Sequence, residues 1–283
     1  MAGAPPLAPG AWSPLAPARR IAFVPGNADV DGVDPNDVRQ GHIGDCYLMA
    51  ALMSVAAMHP EMIHDIVEPR GDGSWLVTLY DEAEAEPLSL IVRPEFPGRP
   101  WWGVFVGMSS SSAGAGDAAD GKQELWPQLI EKAYAKAAGG YDAIGNGGSP
   151  AAALAAITGI PVRPTYDCCR PVDRFDLDEL ASALEAGQPI VASSIDTSSL
   201  EDADDATRAL FQRDGWAKYV IGNAFHEGQL VTNHAYSVVA ADPVRGTVTV
   251  QNPWGWEDEG LTLTLEEFQN AFWVYDTALT PPR

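Results

Sequence analysis

QGHIGDC (Gln40–Cys46), followed by YLMAALMSVAAM (Tyr47–Met58) and stopped at His59-Pro60, is the stretch on which the fold turns. The twelve residues after Cys46 are dense in helix formers and carry apolar side chains all round, so they predict a helix buried in a core rather than laid on a surface. Cys46 opens that helix. A thiol there faces unpaired backbone N–H groups, whose partial positive charge draws it toward the reactive thiolate. Gly44 allows a tight turn just before it. Gln40, six residues upstream, offers an amide that can donate to a developing oxyanion beside the Cys46 N–H. Taken alone, Cys46 reads equally well as a small buried residue.

A base and its orienter stand far downstream. His234 precedes AYSVVAAD, a strand pattern, and Asn252 ends the next one, in VTVQNPWG. Asp242–Gly246 (DPVRG) is a turn signal between the two strands, so pairing through it puts His234 and Asn252 at the same open end of a hairpin. Asn252 can then hold one ring nitrogen of His234 and leave the other to take a thiol proton. His42, His59, His64 and His226 lack such a setting. Cys, a distant His, then Asn is a cysteine-protease order.

Composition narrows the partners. The 283 residues hold 17 Lys and Arg against 39 Asp and Glu, a balance of −22. That surface repels phosphate backbones and anionic headgroups and attracts cations, so nucleic-acid and membrane partners are not expected. Hydrophobic residues make up 46% of the chain, including nine Trp, which excludes charge-driven disorder. No apolar run is long enough to span a membrane, and MAGAPPLAPG has no secretory character. Cys168 and Cys169 are neighbours and Cys46 stands apart, so no disulfide framework is expected and a reducing compartment, the cytoplasm, is the expectation. A monomer is expected.

Residues 1–20 read as an extended Pro/Ala-rich tail. NADVDGVDPND (Asn27–Asp37) is a polar loop with four aspartates, and SWLVTLY (Ser74–Tyr80) and LSLIV (Leu88–Val92) read as strands. After the loop SSSSAGAGDAADG (Ser109–Gly121), the spacing predicts a helix over Glu124–Ala138, ended by Gly139-Gly140. GNGG (Gly145–Gly148) reads as a mobile connection and Pro150–Ile157 as a short helix. Pro189–Ile195, Ala235–Ala241 and Gly246–Gln251 are strand-like, and no internal repeat is present. The expectation is an α+β protein, with a mainly helical lobe over residues 21–145 carrying Cys46 and a β-rich lobe over residues 146–283 carrying His234 and Asn252.

Three separated blocks, QGHIGDCYLMAAL (Gln40–Leu52), ELWPQLIEKAYAKAAGGYDAI (Glu124–Ile144) and HAYSVVA with VQNPWG (His234–Gly255), resemble the protease core of the calpains. The resemblance implies a papain-like two-lobed cysteine protease fold with the cleft between the lobes. It places the nucleophile at Cys46, the base at His234, the orienter at Asn252 and the oxyanion donor at Gln40. Trp254 matches a tryptophan that flanks the catalytic pair and blocks the cleft without calcium. Gly147 or Gly148 matches a glycine whose backbone pairs with the substrate. The same resemblance implies calcium in the first lobe, held by the carbonyls of Val30 and Gly32 and the carboxylates of Asp37 and Glu124. Oxygen ligands of that kind suit a hard cation.

The chain also departs from the pattern. Tyr47 replaces a Trp after the nucleophile, and Asn233 replaces a Gly before the His, a change that narrows the substrate cleft. Only Trp256, Glu257, Asp258 and Glu259 stand where the family has a long acidic loop, leaving Asp258 as a weak candidate for a second calcium site. The function implied is a calcium-dependent endopeptidase cleaving extended protein segments through a thioester. Transglutaminase or amidase chemistry on the same fold, and a calcium-responsive binding module without catalysis, are the alternatives.

Overall fold

The apolar run after Cys46 becomes helix α1, Cys46–Met58, with every side chain from Tyr47 to Ala56 buried. Pro60 starts a second helix, α2 (Pro60–Ile66), across the His59 junction. The computed structural model describes residues 20–25, 31–81, 85–96, 123–164, 175–211, 230–255 and 260–279. The N-terminal tail, the loop at Ser109–Gly121, Val30, Cys168, Cys169, His226 and Trp256–Glu259 lie outside the described residues. Among the described residues, no single helix is long and apolar enough to cross a membrane.

Two short strands, β1 (Arg20–Ile21) and, later, β5 (Gln123–Glu124), pair in parallel. Between them β2 (Val67–Pro69), β3 (Trp75–Tyr80) and β4 (Pro87–Val92) form an antiparallel sheet in the order β2-β3-β4. Glu124 is thus a strand residue, and helix α3 begins two residues later and runs Trp126–Ala138. The reason is local: Pro127 suits a first helical turn, and the Glu124 backbone is already paired with Ile21. Gly139, at φ 100°, closes the helix in the left-handed conformation.

The short helix α4 (Tyr141–Ile144) leads into Gly145–Gly148, and this segment is anchored. The Gly44 N–H donates to the Gly145 carbonyl at 2.7 Å and the Gly147 N–H to the Gly44 carbonyl at 2.8 Å. The four-residue Gly/Asn pattern therefore allows close backbone approach rather than mobility, since a Cβ on Gly44 would meet Gly145 O at 2.7 Å. Helix α5 (Pro150–Thr158) follows, capped by Ser149, whose Oγ accepts from Ala152 N at 3.2 Å. It packs on α1.

The remaining strands build one antiparallel six-stranded sheet in the order β10-β9-β8-β7-β11-β6. Its members are β6 (Val162–Pro164), β7 (Ile190–Ser194), β8 (Ala235–Asp242), β9 (Thr247–Gln251), β10 (Leu261–Thr264) and β11 (Phe272–Ala278). Helices α6 (Leu177–Glu185), α7 (Thr197–Asp202), α8 (Asp205–Leu210) and α9 (Leu265–Ala271) connect them. One buried cluster gathers α1, α2, α3, α5 and β3; a second, from Phe175 to Tyr275, lies against the large sheet. The two meet where α1 packs against β7 and β8. Ser54, midway along α1, makes that junction polar: its Oγ accepts from Ile190 N at 2.7 Å and donates to Ile190 O at 3.1 Å.

Candidate active site

The β8–β9 hairpin turns at the expected place. Asp242 Oδ1 accepts from the N–H groups of Val244 and Arg245 at 2.9 and 3.0 Å, and Gly246 supplies a positive φ of 70°. Ser237 pairs with Gln251, so His234 and Asn252 fall just beyond the paired ends. Their side chains meet: His234 Nε2 lies 2.9 Å from Asn252 Oδ1. The same oxygen accepts the Trp254 N–H at 3.1 Å, and the Trp254 ring stands 5.0 Å from the His234 ring, centre to centre. With Nε2 engaged, Nδ1 is the nitrogen that serves a thiol.

Cys46 comes to this histidine from the other direction, at the first residue of α1. The backbone N–H of Ala235, the residue after His234, points at its sulfur. Cys46, His234, Gln40, Trp254, Gly147, Gly148 and Asn233 all line one cleft of about 860 Å³. The electrostatics differ from the expectation for a helix-start cysteine. Burial pushes the Cys46 thiol above its ordinary value and the Asp45 carboxyl adds to this, outweighing the pull of the Ala235 N–H and of the helix's own first amides. A thiol held up in this way depends on a base for its activation.

Gln40 sits at the cleft with its amide turned inward. Nε2 donates to Ile43 O at 2.9 Å and to Asp45 Oδ1 at 3.3 Å. Tyr47 fills space: a Cβ on Gly148 would fall 2.4 Å from its ring, so Gly148 is held to glycine by packing. The Gly147 N–H is committed to Gly44, and Gly147 has a φ of 89°. Asn233 takes the left-handed conformation at φ 53°, which asparagine tolerates, so this replacement keeps a glycine-like backbone. Its Nδ2 donates to Thr197 Oγ1 at 3.4 Å on the cleft rim.

The acidic loop is brought to the start of α3. Asp37 is buried; its Oδ2 accepts from Asp34 N at 2.8 Å and from the Trp126 indole at 3.3 Å. Glu124, two residues before Trp126, is fully buried, and its Oε1 accepts from Val24 N at 2.7 Å. Gly32 has a φ of 75° and lies so close to the Val24 backbone that a Cβ would meet it at 2.8 Å. Asp37 and Glu124 are thus two buried carboxyl groups from segments far apart in sequence, both at the start of α3, and oxygen donors of that kind fit a hard cation. Among the described residues, no three His, Cys, Asp or Glu side chains converge as metal ligands. Val30 and Asp258, the other proposed ligands, lie outside the described residues.

Three cleft features were not anticipated. Trp273 is 43% exposed, on β11 at a register shift, and lines the cleft with Asp196, the N-cap of α7. Behind Cys46, Asp45 touches the carboxyl of Glu131, and both are fully buried. A bulge and a pairing across α3 leave no periodic signature. An acid directly before the cysteine is the one cue the sequence offers.

Comparison with known proteins points to one family. A family model described as calpain family cysteine protease matches residues 19–260. The calpain-1 catalytic subunit of Bos taurus is 30% identical over 240 residues, covering 80% of this chain and 28% of the relative. That of Homo sapiens is 32% identical with the same coverage, and calpain-9 of Mus musculus is 27% identical over 79% of this chain and 29% of its own length. The chain thus spans under a third of the length of these relatives.

Proposed function

Since this chain belongs to the calpain family of cysteine proteases, we propose that it is a cysteine endopeptidase, with Cys46 as nucleophile, His234 as base and Asn252 as its orienter. The observation that carries the reading is the 2.9 Å His234–Asn252 bond in the cleft that Cys46 opens onto. His234 Nδ1 takes the thiol proton as the sulfur attacks a substrate carbonyl, and Asn252 holds the resulting imidazolium. The Cys46 N–H and the Gln40 amide, once turned from Ile43, receive the oxyanion. His234 then protonates the departing amine, and water activated by the same ring hydrolyses the thioester.

The cleft suits an extended protein segment, and a papain-like arrangement of two lobes is supported by the two buried clusters, although the first reaches past the expected boundary at residues 145–146 to take in α5. We place the protein in the cytoplasm, where Cys46 stays reduced. Calcium is part of the proposal: Asp37 and Glu124, with the carbonyls of Gly32 and Val30, would hold it. When bound, it supplies a charge that ties the acidic loop to the start of α3. Trp254, against the His234 ring, is the residue that a calcium-dependent shift would move at the cleft.

The test is alkylation of Cys46 by iodoacetamide together with casein cleavage, each with calcium and with chelator. Cleavage lost in Cys46→Ala, and labelling that is fast only with calcium, are expected. Full cleavage by Cys46→Ala would refute the nucleophile, and equal labelling under both conditions would refute calcium gating.

A further inference from the structure

Gln251 is the last residue of β9, and it is where that strand stops pairing with β8, opposite Ser237. Pairing with β10 stops one residue sooner, at Val250. Asn252, the next residue, is held by neither ladder, yet its Oδ1 lies 2.9 Å from His234 Nε2. Its place is set by what grips the chain on either side. Before it, the buried Gln251 donates through Nε2 to Asn36 Oδ1 at 2.7 Å. After it, the Pro253 carbonyl accepts the Gln40 N–H at 2.8 Å. Gly255 completes the seat, since a Cβ there would meet the Arg39 side chain at 2.6 Å and the Val38 carbonyl at 3.1 Å.

All three contacts go to the segment Asn36–Gln40, which leads directly to Cys46. Asn36 is a firm anchor within it. It lies in one turn of 3-10 helix, Pro35–Asp37, whose capping residue Asp34 accepts the Asn36 N–H on Oδ1 at 2.8 Å, and the turn packs on α1. Asn36 and Gln251 are 215 residues apart in sequence. An apolar pair would fill the same space, but an amide bonded to an amide fixes distance and direction as well.

We infer that Asn36 and Gln251 are a positioning pair: their bond sets Asn252, and through it the His234 ring, in register with Cys46. Neither residue lines the cleft. Asn252 Oδ1 can only accept, so its bond to His234 calls for the ring proton on Nε2 and leaves Nδ1 as the nitrogen for the thiol. With the Asn36 tie cut, Asn252 loses one of its two flanking grips and the choice of ring nitrogen relaxes. The inference rests on the protease reading for its effect on turnover; its effect on the His234 ring is independent of it.

Asn36→Leu keeps the bulk of the side chain and removes the acceptor, whereas Asn36→Asp keeps the acceptor. Both are compared with the wild-type chain in excess calcium, so that the neighbouring Asp37 is in one state throughout. Long-range nitrogen-15 correlations to the carbon-bound ring protons of His234, assigned by their loss in His234→Ala, read which nitrogen holds the proton. At pH 8 the proton should sit on Nε2 in wild type and in Asn36→Asp, and should spread to Nδ1 in Asn36→Leu. On a peptide substrate, kcat should fall about three- to tenfold in Asn36→Leu with KM within about twofold, and should stay within about twofold of wild type in Asn36→Asp. Gln251→Met, which cuts the bond from the other side, should repeat the Asn36→Leu result and decides the matter if that variant does not fold.

The same Nε2 occupancy in wild type and Asn36→Leu, or an unchanged kcat in that variant, would overturn positioning. Equal loss of kcat in Asn36→Leu and Asn36→Asp would overturn the hydrogen bond as its means. A wild type that cleaves no peptide would sink the protease reading instead, and the ring measurement would still decide the pair.

Discussion

Removing the Asn252 amide is the sharpest test of the site. Its Oδ1 takes two hydrogen bonds, from His234 Nε2 and from the Trp254 N–H, and Asn252 itself does not line the cleft. Asn252→Ala therefore leaves substrate contacts in place and strips the support from a histidine that becomes positively charged during attack. A hydrogen bond to a charged group is worth about 1.5–3 kcal/mol. At about 1.4 kcal/mol per factor of ten, kcat should fall roughly 10- to 150-fold, with KM within about threefold. Steady-state cleavage of a fluorogenic peptide measures both. Asn252→Asp keeps the acceptor and adds a negative charge, so it should retain more activity than Asn252→Ala. The acid limb of its rate profile should move to higher pH, because the charge holds on His234 a proton that the base must be without. Activity of Asn252→Ala within twofold of wild type would refute the reasoning.

Asp276, on β11, is buried, and burial raises its carboxyl from 3.8 to about 6. A raised value means stability that is present below about pH 4 and is lost as pH climbs to 6, a term of about 3 kcal/mol. Asp276→Asn should therefore gain about that much over wild type between pH 4 and pH 7 in urea unfolding; parallel curves would contradict it. Ser54→Ala should cost about 1–3 kcal/mol, lowering Tm by several degrees, because the Ile190 amide loses its buried partner. Calcium in large excess over its dissociation constant should raise Tm, by about 2.7 kcal/mol of stability at a hundredfold excess. Glu124→Gln should abolish that rise, whereas an equal rise in the variant would remove Glu124 from the site.

Much of the site was legible because its residues sit at the ends of strongly patterned elements. The apolar run after Cys46 forces a buried helix, and two β-patterned runs joined by DPVRG force a hairpin whose open end carries His234 and Asn252. What escaped has no periodicity. Glu131 is buried on α3 away from the face of Leu129 and Ala133, because that helix is covered nearly all round. Trp273 is turned into the cleft by a register shift, which no alternation pattern encodes. GNGG resembled a mobile linker, since glycines that permit close backbone pairing look the same in sequence as glycines that permit freedom. The raised Cys46 thiol was hidden for a different reason: burial is a property of everything packed around it, whereas the helix start is local.

The Ser54–Ile190 link also sets the mechanics of the proposed nucleophile. It pins α1 to β7 eight residues from Cys46, about 12 Å along the helix axis at 1.5 Å per residue. With that point held, the sulfur sits at the tip of a lever. A tilt of only about 5° moves it by roughly 1 Å, and a displacement of that size is enough to change a rate about a hundredfold. Any signal that leans on the first turn of α1 can therefore switch the chemistry without breaking a single contact at the pivot.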